Sequence, residues 1–469
     1  MTDGGCAHDT APEGAPRSFD DVLGDCVHCG FCLPTCPTYV LWGEEMDSPR
    51  GRIHLMGQMR EDDVLNEASV GHFDNCLGCL ACVSACPSGV AYDALIETTR
   101  AKVEEEHRRG PAERGLRSAI FALFPYRRRL ELLRAPLRAY QASGLSRLVR
   151  GSGVLERISP SLATMERVAP PLRGGVPALP ERLPAVGRRR AVVGMLTGCV
   201  QGAFFPQVNT ATARVLASEG CDVVIPRSQG CCGALSSHAG RAAEAADLAR
   251  ATIDVFEAAG VDAVVVNSAG CGGTMKHYPR LIRESGGSPT AVRRAEAMSA
   301  RVVDFSEYLA ALGPRAERHP LPVRAAYHDA CHLSHGQGIT AEPRSLLRGI
   351  PGLELSDVPD PEICCGSAGV YNLLRPGPAA ELGDRKSAAV RETGAGLLIA
   401  GNPGCSLQIA SAIERSGGSI AVAHTAQVLD ASIRGLPATA LTGGRSARYG
   451  RAPGSGDRLR GGGSRPRRR

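Results

Sequence analysis

Two hydrophobic patterns divide this chain near residue 190. Upstream, apolar residues recur at helical intervals, as at Leu116, Ile120 and Leu123, and predict amphipathic helices. Downstream, short β-branched runs alternate with alanine-rich segments. The runs predict strands at 191–196, 223–226, 263–266, 323–327 and 396–400, and the segments predict helices at 210–218, 241–259 and 379–392. Such alternation is typical of α/β layering with largely parallel strands.

The upstream part has two regions of its own. Residues 42–73 have a helical pattern, which argues against the tight β-hairpins of a small ferredoxin. Residues 101–190 combine many arginines with apolar residues, and they predict short helices broken at Pro125 and Pro136, followed by a proline-rich linker at 170–190. Helices of this kind either brace neighbouring domains or lie against a lipid surface or a partner subunit.

Composition and charge narrow the class of function. The 469 residues, 43% of them hydrophobic, suffice for several globular domains. The net charge of +6 arises mostly in residues 441–469, which hold nine arginines and one aspartate among glycine, serine and proline. We expect this tail to be disordered and expect no nucleic-acid partner, an RNA-binding arm being the alternative.

No apolar run could span a membrane and no targeting signal is found, so we expect a cytoplasmic protein, with peripheral association at the inner face of the membrane left open.

A cysteine run that occurs twice supplies the first candidate chemistry. Each copy reads C-x2-C-x2-C-x3-C-P, which is typical of bacterial [4Fe–4S] ferredoxins and predicts two clusters and electron transfer. Zinc and disulfides are the alternatives, but neither explains a third evenly spaced cysteine and a trailing proline. The fourth cysteine of such a run commonly binds the cluster of the other run. The predicted ligands are therefore Cys26, Cys29, Cys32 and Cys86 (the cluster 1 set) and Cys76, Cys79, Cys82 and Cys36 (the cluster 2 set).

A different cysteine pattern repeats in the α/β half. One cysteine, a Cys-Cys-Gly triplet and another cysteine occur with nearly the same spacing twice, as Cys199, Cys231, Cys232 and Cys271 and again as Cys331, Cys364, Cys365 and Cys405. The spacing indicates an internal duplication. Because four of these cysteines follow predicted strands, each set can converge at one edge of a sheet. We interpret the eight as redox or cluster-binding residues rather than buried small hydrophobes, and Cys6 and Cys221 as non-functional.

The order of two ferredoxin runs and two Cys-Cys-Gly repeats resembles the CCG-domain proteins related to heterodisulfide reductase, and most closely the family of glycolate oxidase iron–sulfur subunits. The resemblance covers residues 18–430. It is carried by DSPRGRI at 47–53, YHDACHLSHGQG at 327–338, CCGSAGVYNLL at 364–374 and NPGCSLQI at 402–409. The helical pattern of residues 42–73 favours a mostly helical ferredoxin domain, similar to that of the succinate dehydrogenase iron–sulfur subunit.

The resemblance also implies a function. An FAD-containing dehydrogenase subunit would oxidise glycolate or another 2-hydroxy acid, and electrons would pass through the [4Fe–4S] clusters of this chain to a quinone-type acceptor. No G-x-G-x-x-G fingerprint opens a helix after a strand, which agrees with FAD being on a partner. The alternatives are the equivalent subunit of a lactate or glycerol-3-phosphate dehydrogenase, and a self-contained disulfide reductase that uses the CCG cysteines.

One departure limits the resemblance. In the heterodisulfide reductase pattern each repeat has a fifth cysteine, but Thr274 and Gln408 stand there in this chain, so a further iron–sulfur cluster in one or both repeats is left open. Four histidines lie near these cysteines: His277, His328, His332 and His335. One interpretation makes them proton acceptors or hydrogen-bond donors beside a redox centre, and the other makes them capping or surface residues. His28 is expected to tune the cluster of its run rather than to bind it.

These patterns together predict a multidomain protein. A mostly α-helical ferredoxin domain with two [4Fe–4S] runs at 18–100 is followed by a basic helical spacer and linker at 101–190. Two tandem α/β CCG domains with largely parallel sheets follow at 191–315 and 320–435. Disordered segments are predicted at both ends, at 1–17 and 436–469.

Overall fold

The computed structural model describes residues 17–172 and 176–443, and the chain divides into two compact units after His107. The described part of the first unit contains helices and no strand, as the sequence predicts. Its helices are α1 (Phe19–Gly24), α2 (Pro37–Trp42), α3 (Pro49–Asp62), α4 (Glu67–Asn75), α5 (Ala81–Ala85) and α6 (Tyr92–Glu106), with a short 3-10 helix at Glu45–Asp47. Met56, Phe73 and Leu95, from α3, α4 and α6, form its fully buried core.

The segment DSPRGRI forms the start of α3. Ser48 caps the helix by accepting the backbone N–H of Gly51 at 3.0 Å, and Pro49 takes the first helical position, where its fixed φ suits the helix. A Cβ on Gly51 would meet the carbonyl oxygen of Glu45 at 2.0 Å, so only glycine allows this approach. The motif thereby fixes the positions of its two arginines, Arg50 and Arg52.

Five helices follow in the second unit. They are α7 (Pro111–Leu123), α8 (Arg127–Ala142), α9 (Leu145–Ser152), α10 (Val154–Ile158) and α11 (Pro160–Val168). The predicted break at Pro125 is found, but the break at Pro136 is wrong, since this proline lies inside α8. The carbonyl of Leu132 loses its partner there, and Leu132 is 77% exposed, so water can satisfy that carbonyl. No helix in the described ranges has the length and hydropathy needed to cross a membrane.

The first CCG repeat is built on a five-stranded sheet of order β1-β3-β2-β4-β5. Its strands are β1 (Arg182–Leu183), β2 (Ala191–Leu196), β3 (Cys221–Val224), β4 (Ala263–Val266) and β5 (Val302–Asp304). Its helices are α12 (Val200–Phe204), α13 (Pro206–Ser218), α14 (Ala234–His238), α15 (Ala242–Ala259), α16 (Ala269–Lys276), α17 (Tyr278–Glu284), α18 (Pro289–Ser299) and α19 (Phe305–Leu312). Only β1 is antiparallel, pairing with β3, and the sequence analysis assigned its residues to the linker.

The second repeat has a four-stranded, fully parallel sheet of order β7-β6-β8-β9. Its strands are β6 (Val323–His328), β7 (Leu353–Asp357), β8 (Leu397–Ala400) and β9 (Ala421–Ala423). Its helices are α20 (Cys331–Gln337), α21 (Ala341–Arg348), α22 (Tyr371–Leu374), α23 (Pro376–Glu392), α24 (Pro403–Arg415), α25 (Thr425–Ile433) and α26 (Thr439–Thr442). The order matches β3-β2-β4-β5, so the duplicated cysteine spacing reflects a duplicated sheet.

The predicted start of the disordered tail differs from the structure. The disordered tail was expected from residue 436, but α26 occupies Thr439–Thr442, and Leu441 is buried in the core that the two repeats share. The predicted start is therefore too early, because an apolar side chain here finds a core to pack against. The remainder of the tail from residue 444, and the N-terminal segment with Cys6, lie outside the described residues.

Candidate iron–sulfur and metal centres

One cleft of the first unit gathers cysteines from both ferredoxin runs. Its lining includes the whole cluster 1 set together with Cys82. Cys82 and Cys86 belong to the second run, so the fold brings cysteines of both runs together at this cleft. The same cleft is lined by Ile53, Val90 and Tyr92, which reduce contact with water. Burial raises the pKa of the Cys32 thiol to about 11, and the backbone N–H groups of Arg50 and Cys32 oppose that shift.

The cluster 2 set forms a second group. Cys36, Cys76 and Cys79 are buried, and Cys82 is partly buried. Burial raises the pKa of Cys82 well above its usual value, and the thiols of Cys79, Cys76, Cys36 and Cys32 add to that shift. Cys82 therefore lies near thiols of both predicted sets. Cys82 also lines the first cleft, so it lies on the side where the two groups approach each other.

Arg52 is the buried cation of the second group. It is 1% exposed, and its guanidinium donates to Asp47 Oδ1 at 2.9 Å and to Thr38 Oγ1 at 3.1 Å. Its Nη1 lies 4.0 Å from Cys36 Sγ, while Nε donates to the backbone oxygen of His72 at 2.6 Å. A buried charge so fully bonded is held rigidly beside the thiols.

Cys76 receives three kinds of stabilisation as a thiolate. Burial alone would raise the pKa of its thiol, but the charges of Arg52 and Arg100 outweigh burial and the net pKa is lowered. The backbone N–H of Gly78 donates to its sulfur at 3.3 Å, and the Tyr92 hydroxyl donates at 3.7 Å. A thiolate is the form that binds iron, so these donors fit cluster ligation.

Arg50 plays a more exposed part at the first cleft. Its Nη1 donates to the backbone oxygen of His28 at 3.0 Å, and its Nε donates to Glu45 Oε1 at 2.6 Å. His28 is exposed and has a left-handed backbone, with φ of 51°. The two arginines of DSPRGRI thus face different thiol groups. The sequence analysis quoted this motif without assigning roles to its two arginines. The sequence did contain a signal for Arg52, because this arginine directly precedes Ile53 on an otherwise apolar helix face.

In the first CCG repeat the four cysteines converge beyond the ends of β2 and β4. The sulfurs of Cys199 and Cys231 are 3.4 Å apart, and Cys232 bonds to both Cys231 and Cys271. Cys231 accepts S–H groups from both neighbours, which lowers its pKa well below the usual value. The hydroxyl of Thr274, at the place of the missing fifth cysteine, is buried without a hydrogen-bond partner.

The second repeat gathers the equivalent thiols and adds an imidazole. Cys331 bonds to Cys364, Cys364 to Cys365, and Cys365 to Cys405. His328, the last residue of β6, is 2% exposed, and neither ring nitrogen has a hydrogen-bond partner. Burial is the main reason that the pKa of this imidazole falls to about 3, which leaves it neutral.

In the second repeat, Gln408 stands at the place of the missing fifth cysteine, where the first repeat has Thr274. Gln408 is buried, and both ends of its amide are engaged: Nε2 donates to the Ala379 oxygen at 2.7 Å, and Oε1 accepts from Asn372 at 3.0 Å. Gln408 is therefore a structural residue, whereas the Thr274 hydroxyl of the first repeat has no such role. The two repeats are alike in cysteine placement and unlike in what surrounds the cysteines.

The other predicted residues have these positions. The ring of His332 lies 4.7 Å from the ring of His238, and His277 ends α16 as its C-cap. His335 is partly buried on α20. Cys221 is buried in β3, with its sulfur 3.8 Å from the Tyr308 hydroxyl and apart from both cysteine sets. The redox roles of these histidines and the ligand assignments stay predictions.

Comparison with known proteins identifies the parts. The family model described as 4Fe-4S dicluster domain matches residues 22–90, and the model of the cysteine-rich domain matches residues 193–276 and 325–410. The model of the glycolate oxidase iron–sulfur subunit linker region matches residues 112–169. The chain therefore belongs to the iron–sulfur proteins that join a dicluster domain to two cysteine-rich domains.

Whole-length relatives name the particular family. The chain is 38% identical to the probable glycolate oxidase iron–sulfur subunit of Bacillus subtilis, covering 88% of this chain and 94% of that protein. It is 33% identical to the glycolate oxidase iron–sulfur subunit of Escherichia coli, covering 88% and 95%. The chain belongs to the family of glycolate oxidase iron–sulfur subunits.

Two more distant similarities are to a lactate utilization protein and to a solved structure. Lactate utilization protein A of an Exiguobacterium species is 29% identical over 52% of this chain and 98% of that protein. The crystal structure of a hypothetical protein from Helicobacter pylori aligns with a TM-score of 0.53 and 9% identity, covering 90% of this chain and 73% of the other. At that identity the likeness shows the fold alone.

Proposed function

We propose that this chain is the electron-transfer subunit of a glycolate dehydrogenase complex. An FAD-bearing partner would oxidise the 2-hydroxy acid, and the cluster 1 and cluster 2 sets would each hold one [4Fe–4S] cluster on the way to a quinone-type acceptor. The observation that supports the proposal is that cysteines of both ferredoxin runs come together: Cys26, Cys29, Cys32, Cys82 and Cys86 line one cleft, and Cys82 also interacts with Cys79, Cys76 and Cys36. Bound clusters would supply one-electron carriers there.

The chain's own side chains contribute electrostatics and shielding to this role. Arg52 and Arg100 favour the negative thiolate at Cys76, and Ile53, Val90 and Tyr92 limit water at the first cleft. Nearby cations make the addition of an electron to an anionic cluster easier, whereas exclusion of water opposes it, so the two effects together set the reduction potential. Lactate is the second candidate fuel for the partner, because relatives that match about half of this chain, 52% and 51% of it, are named for lactate utilization.

The test reconstitutes the chain with its flavoprotein partner under anaerobic conditions. Glycolate should bleach the partner's flavin with or without this chain, while reduction of a soluble quinone analogue should require it. A Cys26→Ser/Cys86→Ser variant should retain flavin bleaching and lose most quinone reduction, and Cys221→Ser should behave as the wild type. Parallel assays with D-lactate compare the two fuels. Glycolate oxidation by the purified chain alone, or unimpaired quinone reduction by the double variant, would contradict the proposal.

A further inference from the structure

We infer that the second CCG repeat binds a single transition-metal ion through His328 together with Cys365 and Cys405. A nitrogen of the imidazole and the two sulfurs all lie within 4.8 Å of one another, and all three residues are buried. Donors around one tetrahedral zinc ion, with Zn–S near ~2.3 Å and Zn–N near ~2.0 Å, are mutually this close. Each thiolate of a cubane cluster binds a different iron, which holds its sulfurs further apart.

The unpartnered imidazole is the second observation. Both nitrogens of His328 lack a hydrogen bond, although a buried polar group left unpaired costs roughly 1–3 kcal/mol. The equivalent position of the first repeat, three residues before Cys199 at the end of β2, is Leu196, which packs in the core. An apolar residue therefore suits this position in the fold, and the imidazole of the second repeat needs a ligand to offset its burial.

Charge supports the same site. Lys386 of α23 is 2% exposed, donates to the backbone oxygen of Asp360 at 2.6 Å, and interacts electrostatically with Cys365 and Cys364. Three thiolates and one neutral imidazole around a dication leave one net negative charge, which a buried ammonium group balances.

The first repeat has no such cation among its equivalent residues. Thr252 stands at the corresponding place of α15, where its hydroxyl donates to the Cys231 oxygen at 3.2 Å. The second repeat thus differs from the first in two ways: it has a buried cation beside its cysteines and a buried imidazole. Both differences favour a metal site in the second repeat.

The remaining coordination position has two candidates. Cys364 bonds to Cys365, and Cys331 bonds to Cys364. Neither thiol lies within 4.8 Å of all three donors, so one of them would have to move closer to complete a set of three sulfurs and one nitrogen. Binding replaces the proton of each ligating thiol by the metal, so loading releases one proton per cysteine and needs no change of redox state. Zinc is the ion that this donor set fits best.

The test measures metal content on the full chain, purified anaerobically with its ferredoxin irons in place. Wild-type protein should carry about one zinc ion per chain, and added Co²⁺ should give the absorption bands of a tetrahedral thiolate–imidazole site. His328→Leu, which copies the residue of the first repeat, should weaken binding by more than about 100-fold without lowering the iron content. His328→Cys should restore binding with an all-sulfur Co²⁺ spectrum.

Matched variants locate the ion. Cys405→Ser should lose the zinc, whereas Cys271→Ser, the equivalent change in the first repeat, and His319→Ala, a histidine just before the second repeat, should keep it. The inference is overturned by wild-type protein that binds neither Zn²⁺ nor Co²⁺, by unchanged binding in His328→Leu, or by extra iron and sulfide in the proportion of a cluster. None of these outcomes depends on glycolate oxidation, so a failure here is distinguishable from failure of the proposed function.

Discussion

The guanidinium of Arg52 lies 4.0 Å from the sulfur of Cys36, in a part of the ferredoxin unit almost closed to water. The same arginine favours the thiolate of Cys76. One buried cation therefore acts on a cysteine from each ferredoxin run, and both belong to the cluster 2 set. Its position results from α3, whose start is fixed by Ser48 and Pro49.

Replacing Arg52 should lower the reduction potential of cluster 2. A hydrogen bond to a charged group contributes ~1.5–3 kcal/mol, and ~1.4 kcal/mol equals 59 mV for one electron, so Arg52→Gln should shift the potential down by about 60–130 mV. Arg52→Lys should shift it less, because the charge remains. EPR-monitored redox titration measures both, and Arg50→Gln is the control for the first cleft. An unchanged potential for both clusters in Arg52→Gln would show that the arginine is only structural.

The crossed ligand sets can be tested by paired substitutions. Cys26→Ser/Cys86→Ser should remove only cluster 1 and leave about four irons per chain, because each [4Fe–4S] cluster holds four. Cys26→Ser/Cys36→Ser should remove both clusters and leave almost none. Iron and acid-labile sulfide analysis measures the difference, with Cys221→Ser as the buried-cysteine control. Uncrossed ligation predicts the reverse pattern for the two double variants.

The glycine of each Cys-Cys-Gly triplet should resist substitution. Gly233 and Gly366 both have φ of +85°, and an added Cβ would lie 2.9 Å from the Ala245 oxygen and 2.5 Å from the Ala379 oxygen, respectively. The left-handed backbone alone costs roughly 1–2 kcal/mol, so each change to alanine should reduce the free energy of unfolding by more than ~2 kcal/mol. Gly366→Ala should be the worse of the two because its contact is closer.

Gly377 provides the matched control for these variants. It lies near the start of α23 with nothing within 4 Å of an added Cβ, so Gly377→Ala should leave the stability unchanged or slightly higher. Denaturant unfolding followed by circular dichroism compares the three. Equal stability in all three variants would remove the steric explanation of the motif.

Asp304 should make the stability of the second unit depend on pH. Burial, assisted by Glu307, raises the pKa of this N-cap carboxyl to about 6, against the opposing effects of the Ser306 and Glu307 N–H groups and Lys276. A pKa raised in the folded state means that the protonated carboxyl is favoured there. Its stabilising contribution is complete below about pH 4 and is lost as the pH rises through about 6.

Asp304→Asn keeps a side-chain cap for α19 without a charge to bury. Its melting temperature should exceed that of the wild type at pH 8, and the difference should shrink toward pH 5. Differential scanning fluorimetry across this range measures it, with the exposed Glu392→Gln as the control. A difference that is constant with pH, or that grows as the pH falls, would contradict the assignment.

Local spacing and periodicity were enough to predict three features of this protein. They are the cysteine runs, the duplicated CCG spacing and the change from helical to alternating patterns. The ferredoxin domain, the tandem α/β repeats and their family followed from these features. Predicted strands such as Ala191–Leu196 and Ala263–Val266 match the structure to the residue. The strands β1, β5, β7 and β9 were not predicted, and all four lie at the edges of their sheets.

Only the tertiary structure decided what surrounds the cysteines. Arg52 and Lys386 acquire their relation to the thiols through packing between segments far apart in the chain, and so does the approach of His328 to Cys365 and Cys405, although its nearness to Cys331 was visible in the sequence. Pro136 likewise lies within a helix, although it has no backbone N–H to donate there. The sequence by itself determined that thiols occur in two kinds of repeated group. Folding determined which buried charges and imidazole they meet, because contacts across the core depend on the whole chain.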